Sequence, residues 1–334
     1  MPLFGSPWHF SNSGTTVRTA IADFNNDGNL DVAATAHDAS FVGIFIGNGT
    51  GSFVRQTVLS AGNFNVPVAA GDFNNDGKQD LAVGSRDGTV WIYMGNGNGT
   101  FSSPNRYSDG PGEAYEMVVA DFNQDGKLDL AIGHQFAGLA IMIGNGNGGF
   151  SQTGTYLSGL GPVKVVTADF NHDGKPDLIT ANQQAQNESL LLGDGMGGFT
   201  VTNLPSQSFP DNYTNAGFAV GDFNGDGNTD FATSGSGTSL VIFYGNGQGL
   251  FPTSQTFASA ANNCPYAADL DGDGNTDIVA TSHSNSIASI IFGNGTGGFS
   301  SPISFPVGNG PQTLSVADLN NDGKPDLVTP NYYG

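Results

Sequence analysis

Seven copies of one acidic pattern, D-x-[ND]-x-D-G-x-x-D, run along the chain, beginning at Asp23, Asp72, Asp121, Asp169, Asp222, Asp269 and Asp318. A hard divalent cation takes six or seven oxygens at about 2.3 to 2.6 Å, and a tight loop delivers them from alternate positions. Numbering each loop from its first Asp, positions 1, 3, 5 and 9 carry side-chain oxygens and position 7 offers its backbone carbonyl. The first loop thus supplies Asp23, Asn25, Asp27, Asn29 and Asp31, and the second Asp72, Asn74, Asp76, Lys78 and Asp80. Asp121, Asn123, Asp125, Lys127 and Asp129 form the third set, and Asp169, Asn171, Asp173, Lys175 and Asp177 the fourth. The fifth is Asp222, Asn224, Asp226, Asn228 and Asp230, the sixth Asp269, Asp271, Asp273, Asn275 and Asp277, and the seventh Asp318, Asn320, Asp322, Lys324 and Asp326. Lysine at position 7 in four copies fits a carbonyl donor and excludes a side-chain one. Position 6 is Gly throughout, as a sharp turn with positive φ requires. The expected cofactor is Ca2+, up to seven ions.

The helix–loop–helix calcium site is excluded, because its twelfth position must be a bidentate Glu. Here that position holds Ala34, Val83, Ile132, Thr180, Thr233, Ala280 and Thr329. Of the 30 acidic residues, 22 lie in the seven loops, and they dominate a formal net charge of -21. Carboxylates gathered this closely repel one another without a cation, so bound metal is expected to stabilise the fold. The charge also disfavours nucleic acid or anionic lipid as a partner.

Each acidic loop opens into an apolar segment such as DVAAT or DLAVG, and 23 or 24 residues after its first Asp stands a second pattern, G-[ND]-G-x-G-x-F. It occurs six times, from Gly47, Gly95, Gly144, Gly193, Gly245 and Gly293, and a Phe follows each glycine six residues on. Between two apolar runs, Asn-Gly is a hairpin signal. One unit therefore reads as four strand-length segments: TTVRTAIAD, LDVAATA, FVGIFIG and SFVRQTVLS. A period of 47 to 53 residues with four antiparallel strands is the signature of a β-propeller blade.

The predicted fold is all-β: one propeller domain over 1–334 with seven four-stranded blades and an acidic loop between the first and second strand of each. The blades are expected near 15–61, 62–110, 111–160, 161–208, 209–260 and 261–307, with a last one built from 308–334 plus 1–14. Its hairpin glycine would fall beyond residue 334, so it should lack a strand, which another chain or domain could supply. The 51 glycines and the low charged fraction of 12% suit many tight turns and argue against long solvated helices. A single cysteine, Cys264, excludes an intrachain disulfide and is expected to be a small buried hydrophobe. No apolar run reaches the length of a membrane span, and MPLFGSPWHF shows no secretion signal.

These loops and hairpins resemble the FG-GAP/VCBS repeats of integrin α-subunit-like propellers, and the resemblance covers essentially the whole chain. It implies calcium in the acidic loops on one face of the ring, and a ligand that is a glycan or a protein. Fungal lectins, adhesion heads and bacterial surface proteins share the pattern. Loop variation concentrates on the opposite face, where recognition usually resides. There the sequence nominates His37, Arg86, His134, Asn182 and His283 in the loops between second and third strands, and Tyr115, Tyr213 and Tyr266 in crossovers between blades. No nucleophile elbow, phosphate loop or clustered histidines appear. The expected protein is a non-enzymatic, calcium-stabilised binding module, secreted or at a cell surface where calcium is millimolar. The alternatives are a polysaccharide-cleaving propeller and a purely structural or engineered repeat scaffold.

Overall fold

The computed structural model describes residues 16–36, 40–62, 67–159, 161–204, 217–234 and 239–333. Among them, six antiparallel sheets of four strands follow one another along the chain, at 16–60, 68–108, 114–156, 162–203, 218–258 and 263–306. The first comprises Thr16–Ala22, Asp31–Ala36, Phe41–Gly47 and Phe53–Ser60 in simple up-and-down order. A seventh unit has two strands, Ser315–Ala317 and Asp326–Val328.

The first strands of successive units contact each other in a closed ring, from Thr16–Ala22 through Val68–Gly71, Ala114–Ala120, Pro162–Ala168, Phe218–Gly221 and Asn263–Ala268 to Ser315–Ala317, which returns to Thr16–Ala22. At the closure the Thr313 hydroxyl donates to the Val17 carbonyl at 3.1 Å, and Thr19 and Ser315 hydroxyls meet at 3.0 Å. The expectation of seven four-stranded blades, the last lacking one strand, is therefore corrected: among the described residues six blades are complete, and the seventh unit, between the sixth and the first, has two strands. The N-terminal segment expected to complete it lies outside the described residues.

Burial follows strand position. Second strands such as Asp31–Ala36 and Asp129–His134 are buried at every residue, because neighbouring blades cover both faces. This is why they read as continuous apolar runs without alternation. Fourth strands such as Phe53–Ser60 form the exposed outer edge. Between blades, the Phe after the first Asp of the first five loops is a wedge, and Leu270 and Leu319 take its place in the sixth and seventh. Phe24, Phe73, Phe122, Phe170 and Phe223 are all buried, and each meets the hairpin Phe of the next blade with ring centroids 5.4 to 6.1 Å apart. The carbonyl of each wedge also accepts an N–H from that next hairpin, as in Gly99 to Phe24 at 2.9 Å and Gly148 to Phe73 at 3.0 Å. One residue thus couples an acidic loop to its neighbour by both packing and hydrogen bonding.

Candidate metal centres and the opposite face

Within an acidic loop the chain curls around its own carboxylates. In the first, Asp23 accepts the Asp27 N–H on Oδ1 at 3.2 Å and the Gly28 N–H on Oδ2 at 2.8 Å. Asn25 Oδ1 takes the Asp27 N–H at 2.9 Å, and Asp27 Oδ1 takes the Asn29 N–H at 2.8 Å. The same bonds recur in the second, third, fourth, fifth and seventh loops. The curl needs left-handed backbone at position 6, where Gly28 has φ +85°. Position 4 is left-handed as well, which accounts for exposed Asn26, Asn75 and His172 at φ near +58°.

Position 9 behaves differently. Asp31 is fully buried and spans two elements, accepting the Phe24 N–H on Oδ2 at 2.8 Å and the Gly47 N–H on Oδ1 at 2.8 Å. Asp80, Asp129, Asp177, Asp230 and Asp277 repeat both bonds with their own loop and hairpin. Asp326 retains only the bond from the Leu319 N–H among those two. Burial pushes Asp31, Asp80, Asp129, Asp177 and Asp230 up to about 6. At position 5 the balance reverses: the Asn29 N–H holds Asp27 below the usual carboxylate range, and the Lys127 ammonium, 3.0 Å away, does so for Asp125.

The donors fit a hard cation, being oxygens of carboxylate and amide groups on short turns. In the sixth loop the Asp269, Asp271 and Asp273 carboxylate oxygens lie within 4.8 Å of one another, and all three residues are exposed. In the other loops position 3 is Asn, so its amide oxygen replaces one charge. Lys78, Lys127 and Lys175 pair with the position 5 carboxylate of their own loops at 3.0 to 3.2 Å. These exposed pairs are weak, so a divalent ion would compete with them readily. Position 9 has already committed one lone pair of each oxygen to the backbone, and the second lone pairs remain. Its first task is therefore architectural.

The loops between second and third strands and the crossovers lie on the opposite face, and they sort the nominated ligand residues. Arg86 is 54% exposed and pairs with buried Glu113 at 3.2 Å. His134 is buried at the end of its strand, with Nε2 3.4 Å from Asp109. Asn182 is also buried, donating to the Ser158 carbonyl at 2.8 Å and to Asn187 at 3.0 Å. Both tie a strand end to the crossover entering their own blade. Tyr115 and Tyr266 fall on innermost strands and not in crossovers; Tyr115 is half-buried and Tyr266 is exposed. His283 packs beside Gln312, which lies 2.9 Å from its Nδ1. His37 and Tyr213 lie outside the described residues. Cys264 is buried, its Sγ 3.1 Å from the Gln312 carbonyl.

Three features escaped the sequence reading. Arg18 and Lys164, both buried, converge on Glu116 Oε2 at 3.3 and 3.0 Å from three different innermost strands. The Glu188 carboxyl lies buried beside Thr233, and neither of its oxygens makes a hydrogen bond of good geometry among the described residues. Tyr332 and Tyr333 join His283 in an aromatic cluster. Superposing the repeats would have exposed Glu188, since its register is apolar elsewhere. The other two depend on ring closure.

The FG-GAP-like repeat pattern matches in six overlapping pairs of units, at residues 23–83, 72–132, 121–180, 169–233, 222–280 and 269–329. No curated protein matches this chain. Among solved structures, BBS1N, in a crystal structure in complex with ARL6DN soaked with lead, is similar with a TM-score of 0.65 at 13% identity, over 96% of this chain and 90% of that one. A protein from Lactobacillus plantarum is similar at 0.64 and 16% identity, over 88% of this chain and 86% of that one. A functionally unknown protein from Desulfotomaculum acetoxidans DSM 771 gives 0.61 at 12% identity, over 90% and 92%. At these identities the likeness is one of fold.

Proposed function

Because the chain belongs to the FG-GAP-like repeat family and its units close into a ring, we propose that it is a non-enzymatic binding module stabilised by calcium. The observation that carries this reading is the division of labour between the two faces. Acidic loops and hairpins occupy one face and are bonded to each other through the position 9 Asp and the wedge Phe, as at Asp31–Gly47 and Phe24–Gly99. That face holds the ring together, and the other is free to carry recognition. The side chains of positions 1, 3 and 5, with the position 7 carbonyl, would hold Ca2+, which neutralises the crowded carboxylates. Seven divalent ions would take the formal charge from -21 to -7.

A ligand is met on the face opposite the loops, where Arg86 and His283 are placed among variable loops. The leading ligand is a carbohydrate. A protein ligand is the second reading, favoured by a similar propeller that crystallised with a protein partner. Calcium is millimolar outside cells, so calcium sites would suit a secreted or cell-surface address. Binding to a glycan array, with and without chelator, tests ligand class and calcium dependence together. Glycan binding abolished by EDTA is the expected result, and equal binding after calcium removal overturns the calcium part.

A further inference from the structure

We propose that His283, Tyr332 and Tyr333 form a platform for a neutral pyranose ring, where the sixth blade meets the two-stranded unit; the proposal rests on the binding-module reading above. The two tyrosine rings meet edge to face, centroids 5.1 Å apart and planes at 80°, so that together they make a floor and a wall. The His283 ring closes the corner, 6.0 Å from Tyr332 and 5.8 Å from Tyr333. Tyr332 is 38% and Tyr333 65% exposed, an unusual amount of aromatic surface to leave in water.

The corner is held rigidly. The Tyr332 N–H donates to the Gly310 carbonyl at 2.8 Å and the Tyr333 N–H to the Asn309 carbonyl at 3.1 Å. Gly310, at φ +66°, lies directly under the rings, for a Cβ there would stand 2.9 Å from Tyr333 Cδ2 and 3.0 Å from His283 Cε1. Gln312 Nε2 fixes His283 at Nδ1. Aromatic groups already immobilised lose little entropy on binding, which favours recognition by stacking.

The fold itself does not ask for these rings. Counted from the position 9 Asp of each unit, Tyr332 shares its register with Arg86, Gln135, Gln183 and His283, and Tyr333 shares its own with Asp87, Phe136, Gln184 and Ser284. A repeat that tolerates Arg, Gln, Asp and Ser at these places is not using them for packing. The polar groups at hand are the two phenol hydroxyls, with no hydrogen bond among the described residues. Among the described residues no carboxylate, ammonium or guanidinium is paired with the cluster. Flat apolar faces bordered by uncharged donors and acceptors match the C–H faces and hydroxyl rim of a neutral sugar, and do not match an anionic one.

The test uses the full chain on an array of neutral oligosaccharides, followed by calorimetric titration of the best-bound one into wild type, Tyr332→Ala, Tyr333→Ala and Tyr333→Phe. Both rings are exposed, so the alanine variants should melt with the wild type. Expected is a loss of about tenfold or more in affinity for each alanine variant, and less than about threefold for Tyr333→Phe. Binding that survives in the Tyr332→Ala, Tyr333→Ala double variant overturns this site while leaving the binding-module reading intact. Selective binding of acidic glycans only overturns the neutral-ligand assignment. A wild type that binds no sugar at all overturns this proposal, and the broader reading then rests on a protein ligand.

Discussion

Asp129 accepts the backbone N–H of Gly144 at 2.8 Å, joining the start of one strand to the end of its neighbour in the blade. Its other oxygen accepts the Phe122 N–H at 2.9 Å, so one buried carboxylate fastens both the acidic loop and the hairpin. Asp129→Ala strips two buried N–H groups of their partner. A loss of about 2 to 5 kcal/mol is expected, read by urea denaturation in chelator so that no bound ion contributes. An unchanged midpoint would mean that the loop is held by something else.

Calcium should raise stability in proportion to occupancy. At free calcium a hundredfold above Kd, each independent site adds about 2.7 kcal/mol. Titration of calcium into stripped protein should count seven sites, and EDTA should lower the melting temperature. A melt indifferent to EDTA would remove the metal from the stability argument.

Glu188 answers to pH. It sits in the register held by Val42, Val90, Leu139, Leu240 and Ala288 in the other blades, all buried. Burial pushes its carboxyl from 4.5 up to about 8. Between those two values the folded chain keeps a proton that the unfolded chain has released, so stability falls as pH rises through the window. The slope reaches roughly 1.4 kcal/mol per pH unit. Glu188→Leu restores the apolar register, and its stability advantage over wild type should grow from about pH 4.5 to about pH 8. Taking the difference between the two proteins cancels the titration of the buried loop aspartates. Parallel curves would refute the assignment.

Around the axis, Glu116→Gln leaves Arg18 and Lys164 buried without their shared counter-charge. Removing one member of such a network costs about 3 kcal/mol. Differential scanning calorimetry checks it, and Glu116→Gln combined with Lys164→Met should recover part of the loss.

The acidic loop, its left-handed glycine and the hairpin were legible because every bond within them joins residues a few positions apart, so local residue types suffice to specify them. The seven-fold recurrence of that chemistry in turn implied a ring of antiparallel sheets, and the burial of Phe24 and its counterparts agrees with the Phe or Leu that follows every first Asp. What lies further apart depended on closure. The sequence presents Asp31 as one oxygen donor among four, and only the folded blade turns it inward onto Gly47. Likewise His134 and Asn182 read as surface groups from their position at strand ends, yet the crossovers fold over them. Arg18, Glu116 and Lys164 come from three different blades, and His283 meets Tyr332 and Tyr333 across a boundary between units. Contacts of this kind follow from the radius and closure of the ring, which no local pattern encodes.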